Sequence, residues 1–305
     1  MLNYDWLKII ISIIAGIVVW SLLFTTTSTR LTTGESFQVV LYDDVADNTG
    51  GQTFLSKVKK EGYLSYDVLE SSVNRIQGAG NYSAAYMLSV RMSTHEGDVI
   101  IADATPGEPK EEGKDPEPSK MQTIVDNGTY LITVDNYLAA AEKYLSDNGF
   151  IKDGEIDEKK AESYFLDVRV PSARNYRRTY TTEEKKKQGV KGEIARIKKI
   201  KESLDSVKSA IEKAKAADKD FLWYGERPVY ENGEKIGTEK VAFGFDLAKL
   251  SDNGNISDLW VKTSTGSADG LVLGVFNFGS YQYDMQFESL SFIDYLIRTY
   301  SSYAG

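Results

Sequence analysis

Three apolar runs in the first hundred residues, separated by segments of helical period, constrain this chain more than any other feature. FQVVLY (37–42) runs into Asp43-Asp44, LSYDVLESS (64–72) is a second strand candidate, and DVIIAD (98–103) closes on Asp103. Between the first two, QTFLSKVKKEGY sets Phe54, Leu55 and Val58 at helical spacing with lysines between them. Between the second and third, NYSAAYMLSVRMSTHEG sets Ala85, Leu88 and Met92 at i, i+3 and i+7. This alternation implies parallel strands joined by right-handed helical crossovers. Val99-Ile100-Ile101-Ala102 is unbroken, as expected of a strand buried on both faces. The expected fold class is α/β, a three-layer domain with a mostly parallel sheet. In such sheets the carboxyl ends of the strands open on the ligand crevice, which places Asp43, Asp44 and Asp103 on one edge.

Ahead of these runs stands WLKIIISIIAGIVVWSLLF, Trp6 to Phe24, with Lys8 as its only charge. As a helix it spans about 28 Å, close to the hydrocarbon thickness of about 30 Å, with Trp6 and Trp20 near its ends. A cleaved signal peptide is the competing reading, but Thr25-Thr26-Thr27-Ser28-Thr29 makes a poor cleavage site. The reading adopted is a cytoplasmic stub over 1–5, a transmembrane anchor over 6–24 and a Thr-rich stalk over 25–36. The α/β domain over 37–305 is then extracytoplasmic, in a single-pass protein of the cell membrane. The chain has no cysteine, which rules out disulfides and thiolate metal sites, and its net charge of -9 argues against nucleic acid as a partner.

Beyond Asp103 the pattern changes. Residues 104–120 carry prolines, glycines and charges with almost nothing to bury, and are expected to be a disordered loop. Residues 172–220 read as a basic helical insertion, with eleven Lys or Arg and three Glu between Arg174 and Lys201. Within it Ile194, Ile197, Ile200, Leu204, Val207, Ile211 and Ala214 form one apolar stripe. That stripe packs on its own domain or, over 174–216, docks a partner. DFLWYGERPVYENGEKIGTEKVAFGFDL reads as a hairpin around Asn232-Gly233, GLVLGVFNFGS as a buried strand, and Phe287 to Tyr300 as a closing amphipathic helix.

No motif for catalysis stands out. The single histidine, His95, sits at a predicted helix end, and there is no G-x-S-x-G elbow. GAGNYS at Gly78 lacks the third glycine of a dinucleotide fingerprint, and the Asp-rich turns do not keep the order of a calcium loop. No cofactor, metal or catalytic residue is therefore assigned. The aromatics are more informative. Among 19 Tyr and four Trp, the residues Trp223, Tyr224, Trp260 and Tyr281 are of the type that stacks on sugar rings. Asp43, Asp44, Asn48, Asp103 and Asn277 are of the type that hydrogen-bonds hydroxyls. Core packing is the competing role for the aromatics.

FQVVLYDD, YDVLESS and GDVIIAD resemble the first three strands of the N-terminal lobe of an extracytoplasmic solute-binding protein of ABC importers. EKVAFGFDLAKL, LVLGVFNFGS and FESLSFIDYLIRTY resemble the late segment that closes such a lobe. The resemblance implies one or two α/β lobes and capture of a small polar solute, such as a carbohydrate, for an importer permease. It departs from the family in having no lipid-anchoring cysteine and no evident second lobe. A non-catalytic scaffold or interaction protein on the cell surface, using the same fold, is the alternative.

Overall fold

The structure is a computed structural model and describes residues 5–27, 33–77, 81–109, 115–172, 174–231, 233–252, 255–277 and 287–303. The chain divides into two compact units, Met1–Thr32 and Thr33–Gly305.

The first unit contains helix α1 (Asp5–Thr27). Among the described residues no helix is long and apolar enough to cross a membrane. The expected single-pass anchor over 6–24, and with it the cell-membrane location, is corrected accordingly.

In the second unit the elements follow in the order β1 (Ser36–Tyr42), β2 (Val45–Asp47), α2 (Gly51–Lys60), β3 (Glu70–Ile76), α3 (Asn81–Thr94) and β4 (Val99–Asp103). Then come α4 (Lys120–Asp126), α5 (Val134–Asp147), β5 (Ile151–Lys152), β6 (Glu155–Ile156), α6 (Glu158–Tyr164), α7 (Arg174–Thr179) and α8 (Glu183–Ala216). The chain closes with β7 (Leu222–Glu231), β8 (Glu234–Asp246), α9 (Leu247–Leu250), β9 (Trp260–Lys262), β10 (Leu271–Val275) and α10 (Glu288–Tyr300). The main sheet has six strands in the order β3-β1-β4-β10-β8-β7.

The expected alternation holds at the start. β1 pairs in parallel with β3 and with β4, through crossovers that contain α2 and α3. The second strand begins at Glu70, later than LSYDVLESS implied, because Leu64 and Val68 go into the core as part of the connection. The other three pairings, β4 with β10, β10 with β8 and β8 with β7, are antiparallel. The sheet is thus mixed, not mostly parallel. Its second half is built by a hairpin and a returning strand, which need no helical crossover.

Alternation along the strands divides the core in two. Phe37, Val39, Leu41, Val99 and Ile101 face one layer, made by α2, α5, α8 and α10. Val40, Tyr42, Ile100 and Ala102 face the other, made by α3 and α4. On α3 the buried residues are Ala84 and Leu88; Ala85 is exposed, so the inward stripe begins one residue earlier than expected. α10 is the central helix, buried from Glu288 to Ile297. α8, 34 residues long, lays Ile197, Ile200, Leu204, Val207, Ile211 and Ala214 into the same core beside it. Its apolar stripe is therefore covered by its own unit.

The described limbs of the 104–120 segment form no helix or strand before Lys120 but are tied to one another and to α4. The Gly107 N–H donates to the Glu117 carbonyl at 2.9 Å, pinning the two limbs together. Ser119 is buried and caps α4, accepting from the Gln122 N–H at 3.0 Å. Residues 110–114 lie outside the described residues.

Candidate functional site

From β1 the chain passes to β3 on one side, then crosses back to β4 on the other. This reversal makes the gap between β1 and β4 a topological switch point, where open α/β sheets hold ligands at the carboxyl ends of the strands. The residues there are Asp43 and Asp44 after β1, and Asp103 and Ala104 at the end of β4. Lys120 at the start of α4 and Lys262 at the end of β9 reach the same edge.

Each carboxylate has a partner. Lys120 Nζ lies 2.7 Å from Asp43 Oδ2. Asp43 itself holds a left-handed φ of 51°, which turns the chain sharply out of β1, and Arg75 donates to its carbonyl at 3.1 Å. Lys262 Nζ lies 3.4 Å from Asp103 Oδ1 and donates to Thr105 Oγ1 at 3.0 Å, while the Thr105 N–H donates to Asp103 Oδ1 at 2.8 Å. Gly270, at φ 75°, lies across from this group; a side chain there would collide with Thr105. Asp44 accepts from the Thr263 and Ser264 hydroxyls and from the Ser264 N–H at 3.1 Å. Burial opposes its ionisation, but those hydrogen bonds and the charge of Lys120 hold the carboxyl below its usual range. The mutual repulsion of three acids on one edge is relieved by two lysines and by hydroxyl donors.

Beside this edge lies a groove of about 510 Å³. One wall is made by residues 104, 106 and 116–119 with α4, the other by the β7–β8 hairpin. Trp223 and Tyr224 supply its aromatic surface, and Gln122, Asp126, Glu226 and Lys240 its polar rim. Trp223 is half-buried and packs on the second core. The Tyr224 hydroxyl donates to Asp220 Oδ2 at 2.7 Å; partial burial and the Asp220 carboxylate push the phenol up to about 12. Gln122 bridges the two walls: its side-chain N–H donates to the Glu226 carbonyl at 2.7 Å, and its oxygen accepts from the Glu226 N–H at 2.9 Å.

The structure therefore brings Asp43, Asp44 and Asp103 to one edge and places Trp223 and Tyr224 in the adjoining groove. It does not bring the rest of the expected set there. Trp260 is 1 % exposed and packs edge-on against Phe54 at 5.7 Å; it is a core residue, because β9 lies over α2 and α10. Asn277 follows β10, whose start faces Asp103 and whose end faces Val99, so it lies at the opposite edge of the sheet. There its N–H donates to the Tyr130 carbonyl at 2.8 Å. Asn48 ties the turn after β2 to the Ser257 carbonyl at 3.0 Å. Tyr281 lies outside the described residues. Lys120, Lys262, Thr105 and Gln122 were missed in the sequence. Only Lys120 carried a signal, as the first residue after a Ser at a helix start.

The chain matches no known protein family, no curated protein and no solved structure.

Proposed function

We propose that the chain is a non-catalytic binding protein for a small polar solute of the carbohydrate class, held in the groove beside the switch point. The observation that carries this reading is the pairing of Trp223 and Tyr224 with the polar rim of Gln122, Asp126 and Lys240 in one groove of about 510 Å³. Such a volume lies in the range of small-molecule sites, and its lining mixes two aromatic rings and prolines with carboxylate, amide, hydroxyl and ammonium groups suited to a polar solute. The carboxylates next to it support binding over acid–base chemistry. Asp43 and Asp103 are each ion-paired, so their oxygens are already engaged by Lys120 and Lys262. The buried stripe of α8 supports this reading over a docking scaffold, since it offers no apolar face to a partner.

The test is a fluorescence titration of the full chain with mono- and oligosaccharides, alongside Trp223→Ala. Trp260 is buried and distant from the groove, so the saturable change should come from Trp223 and vanish in the variant. A panel in which no saccharide changes the emission or the melting temperature would overturn the proposal.

A further inference from the structure

On the opposite face of the sheet, a cavity of about 270 Å³ opens between residues 62–66, one side of α8 and the start of α10. Its walls are mostly carbon: the rings of Tyr63 and Tyr66, with Leu64 and Ile200. An engineered cavity of about 150 Å³ suffices for benzene, so this one has room for a ring or a branched chain with a polar head.

Two of the lining residues, Arg196 and Glu288, belong to a buried charge network. Arg169 donates to Asp67 and, at 3.1 Å, to Glu193 Oε1. Arg196 donates to Glu193 Oε1 at 3.3 Å and to Glu288 Oε1 at 2.7 Å. Tyr176 and Tyr66 donate to Asp67 at 2.9 Å and to Glu193 at 3.0 Å. Arg169 is delivered by a π-helical turn, Phe165–Arg169, a distortion found frequently at functional sites.

The network is incomplete in two ways. Three carboxylates, Asp67, Glu193 and Glu288, face two guanidiniums, so the third at this buried site is held as its neutral acid unless a further cation lies beside it. Burial outweighs Arg196 at Glu288, and the Asp67 charge adds to it, so that carboxyl is pushed up toward its protonated form. In addition, Arg196 Nη2 and Glu288 Oε2, a donor and an acceptor of the same ion pair, have no partner among the described residues. A buried polar atom without a hydrogen bond is costly, and one that a fold keeps calls for a reason, such as a bound group that completes it. At the cavity, Lys199 Nζ sits 3.7 Å over the Tyr63 ring, with its nearest carboxylates at 3.5 and 3.9 Å. Those distances exceed a direct charged hydrogen bond of ~2.8 Å, so its donors are under-used.

We propose that this cavity binds a small zwitterion with an apolar body, of the chemical class of an apolar α-amino acid. Its ammonium meets Glu288 Oε2, the acceptor that the network leaves without a donor. Its carboxylate takes Arg196 Nη2 and Lys199 Nζ, and its apolar body lies among Tyr63, Leu64, Tyr66 and Ile200. Both orphan atoms are shielded from bulk solvent. Seating the ligand therefore requires the Glu288 and Arg196 side chains to turn toward the cavity.

Calorimetric titration of the full chain with L-phenylalanine and L-leucine tests this, with phenethylamine and 3-phenylpropionate as analogues that each lack one charge. The amino acids should bind, and each analogue should bind at least about tenfold more weakly. Lys199→Met should weaken phenylalanine binding about tenfold, Lys199→Arg should restore it, and Trp223→Ala should leave it unchanged. Three results would overturn the proposal: no binding of either amino acid up to about 10 mM, equal affinity for the one-charge analogues, or binding that depends on Trp223 and not on Lys199. A melting curve for each variant separates lost binding from lost fold.

Discussion

At the scale of single residues, two aspartates on the same strand pair have opposite signs of contribution. Asp103 neutralises Lys262, whose side chain is only 9 % exposed. Asp103→Asn keeps an oxygen for the Thr105 N–H but leaves the lysine without its counter-charge. It should destabilise the fold by ~1–3 kcal/mol, read as a lower urea midpoint at pH 7. An unchanged midpoint would show that the pair contributes nothing. Asp98, just before the other end of β4, is buried, and its carboxylate accepts from the Gln38 N–H at 2.7 Å. Burial raises its carboxyl well above the usual range, the Gln38 hydrogen bond opposes this, and the charge of Glu288 adds to it. The folded protein therefore binds a proton that the unfolded chain releases near pH ~4, so stability falls as pH rises from there through the raised value. Asp98→Asn retains the acceptor and removes the titration. It should be more stable than the wild type at pH 7 and lose that part of the pH dependence, which melts between pH 4 and 8 will show. Asp67 runs the other way. Burial opposes its ionisation, but Arg169, then Arg196 and the Ser65 and Tyr176 hydroxyls, hold its carboxyl low; its contribution is present above pH ~4 and is lost as pH falls through the lowered value. The edge position of Asp103 could be read from the apolar run before it. Its partner could not, since Lys262 is 159 residues away and nothing local marks it.

At the scale of elements, the helices were legible wherever their inward face is periodic, and α8 is the clearest case. Its stripe of isoleucine, leucine and valine steps by three and four, and that face is the buried one. What the stripe does not reveal is why the helix contains two glycines. Gly189 lies under Phe165 and Tyr180, and a methyl group on Gly192 would come within 2.6 Å of the Tyr66 ring. Glycine inside a helix costs ~1 kcal/mol relative to alanine, so Gly192→Ala would stabilise an isolated helix. Here it should destabilise by ~1–3 kcal/mol through overpacking against Tyr66, measurable by denaturant unfolding. A gain in stability would mean that the ring yields without cost. The limbs of the 104–120 loop could not be placed from the sequence for another reason. They have almost nothing to bury, and what ties the described limbs down is a backbone hydrogen bond and a helix cap. Ser119→Ala should cost ~1 kcal/mol, because the cap satisfies an otherwise unpaired N–H at the start of α4; a thermal melt checks it.

At the scale of the whole molecule, the α/β character and the parallel trio of strands follow from the order of periods along the chain. The mixed second half does not. β8 and β10 are apolar runs that look alike in either direction, and their orientation is decided by the path between them. The buried charge network was invisible for a related reason: its members, from Asp67 to Glu288, lie on segments far apart, and 45 acidic residues offered no means of choosing three. The Gln122 bridge has a consequence of a different kind. β7 ends the sheet order, so among the described residues its outer backbone groups have no neighbouring strand. Gln122 occupies the two at Glu226, and Pro228 removes a third N–H a little further along. An open strand edge is a template on which other chains can add, and side-chain caps and prolines are known ways of blocking it. Gln122→Ala combined with Pro228→Val should leave a monomeric fold that self-associates as its concentration rises. Light scattering and thioflavin fluorescence would register this, and clear solutions at high concentration would show that the edge is guarded elsewhere. The residue that joins the two walls of the groove thus also protects the molecule from copies of itself.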